Sequence, residues 1–248
     1  VAVVVGLILP ANFSTAALLG FSCFVVLFVG RVKFKYLLYF VGILIAMLGI
    51  YMTISIMIAK SNPEFHNRAL TWVNRIESFV GKKGEGDASK SENDYQILHS
   101  KIAIAEGGII GKSPGKSTER QTLPNIFNDF IFALIVEEYG LLGGLFVIML
   151  YLILLYRSVV IMMKIPSSFG GILAFGLTFN IVLQAMANIG VAVGMLPVTG
   201  QPLPFISMGG TSLLFTGISF GIILNVSSEI DKNNKKNDEI EQTVESGD

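Results

Sequence analysis

Three acidic residues lie at the start of a long apolar stretch, in the segment Asn125–Gly140 (NIFNDFIFALIVEEYG). Asp129 stands at the mouth of this stretch, Glu137 and Glu138 stand inside it, and the chain then stays apolar to Tyr156. A carboxylate at hydrocarbon depth is costly, so these acids are functional candidates, as proton acceptors or as ligands of a cation. The alternative is that they pair with basic groups and only hold helices together.

The spacing of the acids separates their expected roles. Counted along one helix from Asp129, Glu137 lies about 80° round the axis and about 12 Å deeper. Glu138 then points to nearly the opposite face. We therefore predict that Glu137 shares a cavity with Asp129 and that Glu138 is a structural partner.

A basic, glycine-rich stretch precedes the acids. Lys112, Lys116 and Arg120 follow a series of glycines that starts at Gly107. Glycines let backbone amides approach an anion and lysines add charge, so the stretch suits a phosphate or pyrophosphate ligand. Its spacing is not that of a Walker motif, and a flexible loop whose lysines meet anionic lipid headgroups is the alternative.

Two polar features lie further along the chain. Asn180, Gln184 and Asn188 recur every four residues, and such a stripe either bonds between helices or lines a wet cavity. The run 196–211 (LPVTGQPLPFISMGGT) has three prolines and three glycines between two apolar segments. Because non-helical backbone beside a membrane must be buried in protein or line a cavity, this run is either a re-entrant loop or a rigid connection.

Composition places the chain in a membrane. Of its 248 residues, 52% are hydrophobic and only 15% are charged, whereas a soluble domain carries roughly a quarter charged residues. The mean hydropathy is +0.65. A net charge of zero, without a basic patch interleaved with aromatic residues, argues against nucleic-acid binding. The lone Cys23 and two isolated histidines provide neither a disulfide framework nor a metal cluster.

Hydrophobic segment lengths predict an all-α fold, a polytopic transmembrane helical bundle with about six spans, one of them partial, and a large outer loop. The chain begins inside an apolar run that has no signal-peptide features, so we expect a fragment that lacks an N-terminal part. The expected parts are N-terminal spans (1–59, the first truncated), a large extracytoplasmic loop (60–129), three C-terminal spans (130–226) with a short outer loop (197–207), and a disordered cytoplasmic tail (227–248).

Basic residues set the expected orientation. They cluster in the turn 31–35, the connection 156–168 and the start of the tail, and by the positive-inside rule these three places are cytoplasmic. The long loop and the loop 197–207 then face outward. Within the long loop we expect a flexible linker over 81–94, flanked by more structured pieces at 67–79 and 95–110.

Several of these segments, read in order, resemble the SEDS family of bacterial proteins (shape, elongation, division and sporulation), which includes FtsW, RodA and SpoVE. The similarity covers about residues 95 to 226 and is weaker before that. The matching segments are Tyr95–Gln96, Gly107–Gly108 with Gly111–Lys112, Leu123–Pro124 with Asp129–Ala133 (DFIFA), Glu137–Gly140 (EEYG), and the run from Asn188 through LPVTGQPLPFISMGGTS.

The chain departs from the family pattern at three places. Family members usually have a His-Thr pair where this chain has Phe127–Asn128, and a Ser where it has Glu106. The family's QPD-x-GTA reads LPANFSTA here, at Leu9–Ala16. These departures concern the surroundings of the site. Family members have about ten spans, of which this chain holds roughly the last six.

The resemblance implies a peptidoglycan glycosyltransferase that polymerises lipid II, an undecaprenyl-pyrophosphate-linked disaccharide-peptide, at the outer face of the bacterial cytoplasmic (inner) membrane. The family's catalytic acid corresponds to Asp129, which would act as general base. Lys112, Lys116, Arg120 and Glu137 would contact the substrate, the cations stabilising the pyrophosphate. No cofactor is required by this reading, but a divalent cation (Mg²⁺ or Mn²⁺) bridging Asp129 and pyrophosphate is an alternative role for the same acid.

The expected partners are a class B penicillin-binding transpeptidase, other divisome proteins and membrane lipids. The run that contains LPVTGQPLPFISMGGTS looks more like division (FtsW-like) members than elongation (RodA-like) members. Two other classes stay open at this point. A lipid II flippase or other transporter would use the intramembrane acids and amides as a polar path, and a scaffold would only recruit the transpeptidase.

Overall fold

The computed structural model describes residues 1–61, 92–119, 128–164 and 168–245. All regular structure in these ranges is helical, which confirms the all-α prediction. The expected helix at 67–79 and most of the expected linker at 81–94 lie outside the described residues. The helices are α1 (Ala2–Ile8), α2 (Phe13–Val29), α3 (Phe34–Ser61), α4 (Glu92–Gly107), α5 (Ile131–Lys164), α6 (Ser168–Ala192) and α7 (Gly210–Glu245).

Four of these helices contain segments long and apolar enough to cross a membrane: Phe34–Ile54, Ile131–Lys164, Phe169–Ala192 and Gly210–Glu229. The apolar α2 is shorter, and its 17 residues extend over about 26 Å at 1.5 Å per residue. The chain is therefore a multi-pass membrane protein, as its composition predicts.

The helices pack into two apolar clusters. Side chains of α1, α2 and α3 form the smaller one around Val5, Leu9 and Ala16. The larger one lies among α4, α5, α6 and α7. Within it the small residues Ala174 and Ala185 of α6 are fully buried, which permits close helix approach. The larger cluster is the part of the core that positions the acidic residues.

Helix α5 is interrupted near its N-terminal end. Gly140 has φ 72° and ψ −175°, a conformation open essentially to glycine alone, so a short entry segment (131–139) is separated from the helix that follows. The part from Leu141 to Lys164 extends over about 36 Å, which suffices to span a bilayer with some tilt. The entry segment is buried, with Phe132, Ala133 and Val136 in the core.

The structure continues α7 through the charged tail as far as Glu245, where the sequence predicts disorder. A helix already nucleated in the apolar segment propagates at little cost through Glu, Lys and Gln, which are good helix formers. Residues 246–248 lie outside the described part of the chain.

Candidate functional site

Asp129 lies in the turn that precedes α5, and two hydrogen bonds fix the backbone around it. The side-chain amide of Asn188, in α6, donates to the carbonyl of Asp129 (2.8 Å). The hydroxyl of Ser207 donates to the carbonyl of Asn128 (2.6 Å). Both Asn188 and Ser207 are buried, so these bonds are shielded from water. The peptide groups on either side of the Asp129 α-carbon are thus held by α6 and by the loop after it.

That loop, residues 196–209, is called the proline-rich loop below. Its side chains Val198, Leu203 and Ser207 are buried, and its buried backbone is hydrogen-bonded to the protein, as expected for non-helical chain beside a membrane. Gln184 donates to the carbonyl of Pro202 (3.2 Å), and the hydroxyl of Tyr151 donates to the carbonyl of Pro204. The loop is thus fixed to α5 and α6 by hydrogen bonds, and the choice between a re-entrant loop and a rigid connection stays a prediction.

The proline-rich loop also brings its Gly200 next to the acid. A β-carbon built on Gly200, which has φ 65°, would lie 3.9 Å from Oδ2 of Asp129. Gln201, the next residue, accepts from Asn188 through its carbonyl (2.7 Å) and donates from its side chain to the hydroxyl of Thr15 in α2 (2.7 Å). A chain of hydrogen bonds thus joins α2, the loop, α6 and Asp129.

Glu137 is the centre of a second polar group. Its carboxylate is fully buried and accepts from the ammonium of Lys112 (3.1 Å), the hydroxyl of Ser117 (2.5 Å), and the backbone amide and hydroxyl of Thr118 (2.9 Å each). The ammonium of Lys112 also donates to Glu106 and to the Thr118 hydroxyl. Lys112 therefore has three oxygen partners, as many as an ammonium has hydrogens.

Glu106 and Lys112 lie outside the membrane-spanning segments, and each favours the charged form of the other. The hydrogen bond from Lys112 lowers the pKa of Glu106, and a weaker contribution comes from the Thr118 hydroxyl. The same hydrogen bond to Glu106 is the main reason that the pKa of Lys112 is raised. Both groups thus keep their charges over a wider pH range than they would alone.

Backbone pairing holds the basic loop, defined here as residues 108–119, against the interruption of α5. The amides of Lys112 and Ser113 donate to the carbonyls of Glu137 (2.9 Å) and Glu138 (3.1 Å), and the amide of Leu141 donates to the carbonyl of Gly108 (2.9 Å). The amides and carbonyls left without helix partners around Gly140 are satisfied in this way.

Glycines make this backbone approach possible. A β-carbon on Gly111 would lie 2.3 Å from the carbonyl oxygen of Glu138, and one on Gly140 would lie 2.2 Å from that of Ile109. A β-carbon on Gly107 would lie 2.1 Å from the carbonyl oxygen of Val136. Real β-carbons do not occur at such distances. Two of the glycines that the sequence assigns to anion binding, Gly107 and Gly111, thus permit close packing on α5, whereas a β-carbon on Gly108 or Gly115 would meet nothing within 4 Å.

The basic loop is also fastened to α4 at its far end. Nδ1 of His99 lies 2.8 Å from a carboxylate oxygen of Glu119, and the His99 ring lies 4.1 Å from the Tyr95 ring, centroid to centroid. Helix α4 in turn is joined to α6, since the hydroxyl of Ser100 donates to the carbonyl of Ala192 (2.9 Å). The structured piece expected over 95–110 corresponds to α4, which begins at Glu92 and ends at Gly107.

The structure brings together only part of the predicted site. Lys112 and Glu137 are in direct contact. Lys116 is exposed on the basic loop, and its amide donates to the carbonyl of Ser113 (3.2 Å). Arg120 lies outside the described residues. The helical count from Asp129 does not apply, because α5 begins at Ile131, after the acid.

Glu137, which the count assigns to the cavity of Asp129, is instead bound by residues of the basic loop, and the structural role predicted for Glu138 stays a prediction. Glu137 is the fully buried member, paired with Lys112, whereas Glu138 is only partly buried. Within the described residues, no three His, Cys, Asp or Glu side chains are grouped as a metal site requires. One carboxylate with substrate phosphates is nevertheless a common way to hold Mg²⁺, so Asp129 fits that alternative role.

Sequence reasoning missed the partners of these residues. Glu106, Ser117 and Thr118 were not singled out as ligands of Glu137 and Lys112, and the pair of His99 with Glu119 was not anticipated. The signal that could have found them is weak. A buried glutamate beside a basic, Ser- and Thr-containing stretch needs donors, and that stretch is the nearest source along the chain.

Comparisons with known proteins identify a family that this chain resembles over most of its length. The family model of the FtsW/RodA/SpoVE cell cycle proteins matches residues 1–232. Stage V sporulation protein E of Bacillus subtilis is 41% identical over 134 residues, which is 54% of this chain and 37% of that protein. A probable peptidoglycan glycosyltransferase FtsW of Borreliella burgdorferi is 34% identical over 228 residues, 92% of this chain and 58% of that protein.

The peptidoglycan glycosyltransferase MrdB of Escherichia coli K12 is 40% identical over 134 residues, 53% of this chain and 36% of that protein. This chain thus spans between 36% and 58% of the length of these three relatives. A chain from a solved peptidoglycan synthase complex has a similar fold, with a TM-score of 0.60 at 24% identity. That match covers 92% of this chain and 59% of the solved one.

Proposed function

This chain belongs to the FtsW/RodA/SpoVE family of cell cycle proteins, and we propose that it acts in a peptidoglycan glycosyltransferase that polymerises lipid II at the outer face of the bacterial cytoplasmic membrane. The observation that carries the proposal is the position of Asp129. Its backbone is held by Asn188 and Ser207, and its carboxylate lies beside Gly200 of the proline-rich loop. Relatives named peptidoglycan glycosyltransferase support the same activity.

The chain's own residues would act on a sugar hydroxyl. The Asp129 carboxylate accepts the proton of the acceptor hydroxyl as its oxygen attacks the anomeric carbon of a second lipid II. The bond from that carbon to the pyrophosphate oxygen breaks, and polyprenyl pyrophosphate leaves with the electron pair. Lys116 and Arg120 would meet the charge that develops on the pyrophosphate. Lys112 could join them only by giving up one of its present oxygen partners.

A divalent cation is compatible with this arrangement. One carboxylate, that of Asp129, would hold Mg²⁺ or Mn²⁺ together with substrate phosphate oxygens, and the cation would supply neutralisation of pyrophosphate charge. In that case Asp129 would position the cation, and another group would accept the proton of the acceptor hydroxyl.

The polar groups inside the membrane favour a polymerase over a transporter. A transport path needs polar groups that face a water-filled route. Here the Glu137 carboxylate accepts hydrogen bonds from donors of the basic loop. The amide of Gln184 donates to the proline-rich loop, and that of Asn188 donates to this loop and to Asp129. The Glu137 carboxylate and the amide nitrogens of Gln184 and Asn188 therefore have structural partners, whereas Oδ1 of Asn188 is buried without a hydrogen bond within the described residues.

We further propose a role in septal wall synthesis with a class B penicillin-binding transpeptidase and other divisome proteins. A relative that matches 92% of this chain is named FtsW, and the solved chain of similar fold belongs to a synthase complex. An elongation role is the alternative, since MrdB is similarly related. The orientation with a cytoplasmic tail rests on the distribution of basic residues.

The test is glycan polymerisation from labelled lipid II by the intact protein with its transpeptidase partner, beside Asp129→Asn. We expect polymer from the wild type and none from Asp129→Asn, with the wild type and the variant inserted equally in the membrane. Polymer from both would leave the enzyme but remove Asp129 from its centre. No polymer from either, together with lipid II crossing a bilayer in a flipping assay, would favour a transporter.

A further inference from the structure

The Glu137 carboxylate has a role that the proposed reaction does not use. It is fully buried, so it cannot contact a substrate in this arrangement. The four hydrogen bonds described for it come from Lys112, Ser117 and Thr118. These residues belong to one non-helical part of the basic loop, residues 112–118, called the anchored segment below. A single buried charge thus organises this whole segment.

The anchored segment has little regular structure to hold it otherwise. Among the described residues, its backbone pairs with α5 at Lys112 and Ser113, and Ser113 and Gly115 have positive φ. Further along the segment, the side-chain contacts described are those of Ser117 and Thr118 with Glu137, Glu106 and Lys112. Because an unpaired buried carboxylate is costly, Glu137 and these donors depend on each other.

The anchor ties the segment to the same piece of helix that follows Asp129. The entry segment of α5 begins two residues after the acid, and Glu137 lies near its other end, about 9 Å along the helix axis from Ile131. Phe132, Ala133 and Val136 bury this piece in the core, so it is a rigid spacer. The base and the basic loop are therefore attached to the two ends of one fixed element.

We infer that Glu137 is a positioning residue, whose buried carboxylate sets the location of the anchored segment, and with it Lys116, relative to Asp129. The inference rests on the proposed function, since it takes Asp129 as the base and the basic loop as the pyrophosphate site. It assigns to Glu137 no contact with substrate. Its neighbour Glu138 is the matched control, because it stands next in the chain and its side chain is only partly buried.

The first measurement is hydrogen exchange of the anchored segment, on the intact protein in lipid nanodiscs. Glu137→Gln keeps the side-chain shape but removes the charge that the four donors meet. We expect exchange at the amides of Lys112 and Thr118 to speed up about 10- to 100-fold, as for the loss of one hydrogen bond to a charged group. Glu138→Gln is expected to leave exchange in this segment unchanged. Equal protection in wild type and Glu137→Gln would overturn the inference.

The second measurement is polymerisation of labelled lipid II by the same preparations. A misplaced Lys116 ammonium impairs the reaction more than it impairs substrate binding, so we expect the turnover of Glu137→Gln to fall about 10- to 100-fold. The lipid II concentration for half-maximal rate should stay within about threefold of wild type, a difference of under 1 kcal/mol. Full turnover with a mobile segment would overturn the positioning role, as would equal losses in Glu137→Gln and Glu138→Gln.

The two measurements separate this inference from the proposed function. If the wild type makes no polymer, the proposed function and the positioning role both fail, whereas exchange still shows whether Glu137 anchors the segment. Should Glu137→Gln not fold, Thr118→Val provides the test. It removes the hydroxyl shared between Glu137 and Glu106 while keeping the side-chain shape, and unchanged exchange at residues 112–118 in that variant would overturn the anchor.

Discussion

Asn188 holds Asp129 and the proline-rich loop with one side-chain amide. Its two amide hydrogens point to the carbonyl of Asp129 (2.8 Å) and the carbonyl of Gln201 (2.7 Å). The two acceptors belong to parts of the chain separated by more than seventy residues. A single buried side chain therefore fixes the proposed base against the loop that lies beside its carboxylate.

We predict that Asn188→Leu lowers the rate of lipid II polymerisation about 10- to 100-fold, because it removes the amide that donates to the carbonyls of Asp129 and Gln201. Gln184→Leu is the matched control. Gln184 lies one turn earlier on the same helix and bonds to the same loop, at Pro202, rather than to the acid. The measurement is turnover per folded protein for both variants in nanodiscs.

Comparable loss of turnover in the two variants would show that anchoring of the loop matters and that contact with Asp129 does not. Comparable thermal stability with a selective loss in Asn188→Leu is the expected pattern. The outcome thus distinguishes positioning of the acid from a general effect on the loop.

The interruption of α5 leads to a second prediction. Gly140→Ala would place a β-carbon 2.2 Å from the Ile109 carbonyl oxygen, at φ 72° and ψ −175°. This backbone conformation costs about 1–3 kcal/mol in residues other than glycine, before any steric clash is counted. We expect the apparent melting midpoint to fall by about 6 °C or more, measured on purified protein by intrinsic fluorescence.

Gly217→Ala is the control for that experiment. A β-carbon at Gly217 meets nothing within 4 Å, and the residue lies inside α7. Alanine stabilises a helix by about 1 kcal/mol relative to glycine, so the melting midpoint of Gly217→Ala should stay level or rise slightly. An unchanged midpoint in Gly140→Ala would mean that the pairing of the basic loop with α5 rearranges at little cost.

The Glu106–Lys112 pair predicts a dependence on pH. The pKa of Glu106 is lowered from its ordinary 4.5, chiefly by the hydrogen bond from Lys112. A lowered carboxyl pKa stabilises the folded loop above pH 4.5, and this contribution is lost as the pH falls through the folded-state value. The raised pKa of Lys112 acts at the other end, since its contribution is present below its ordinary 10.5 and is lost above the folded-state value.

We therefore expect protection of residues 112–118 from hydrogen exchange, corrected for intrinsic rates, to be level from about pH 5 to 8 and to decrease below that. The comparison is with Glu106→Gln, which removes this carboxyl but keeps its shape and leaves the pair of His99 with Glu119 in place. The acid-dependent loss should be smaller in that variant. Identical pH profiles would assign the acid response to other groups. Because Glu106 is exposed and Lys112 is only partly buried, added salt should weaken the effect.

The sequence predicts the spans and the surface acid because both depend on local properties. Apolar length predicts spans within 1–59 and 130–226, where the structure has α2, α3 and α6 to within two residues, and the glycines after Ala105 mark the end of α4. Basic residues in short connections predict which side is outward, and the position of Asp129 at the outer end of α5 stays a prediction that needs no knowledge of packing.

The rest depends on contacts between distant residues. The interruption at Gly140 follows from pairing with residues 108–113, about thirty positions earlier, and a continuous apolar pattern gives no sign of it. The donors to Glu137 come from residues about twenty positions away, and Asn188 lies 59 positions after Asp129. The helical count predicts the structural role for Glu138 because it treats Asp129 as part of the same helix, whereas α5 begins at Ile131.

The turn between α4 and the basic loop leads to the last prediction. Ile109 and Ile110 are strongly exposed, although their neighbours pair with the start of the long part of α5, through the bond from the Leu141 amide to the Gly108 carbonyl. Leu141, Leu142 and Leu145 begin the apolar surface that this helix presents outward. The turn is therefore continuous with the lipid-facing surface, and we expect its two isoleucines to lie in the bilayer.

The chain has one tryptophan, Trp72, so Trp72→Phe provides a silent background for a probe. In that background Ile110→Trp should fluoresce at short wavelength and be quenched by lipids brominated on their acyl chains. Pro114→Trp is the control, since Pro114 is exposed in the same loop but lies beyond the pairing with α5. It should emit at longer wavelength and escape that quenching. Equal quenching at both positions would place the whole loop in the bilayer, and none at Ile110 would place the turn in water.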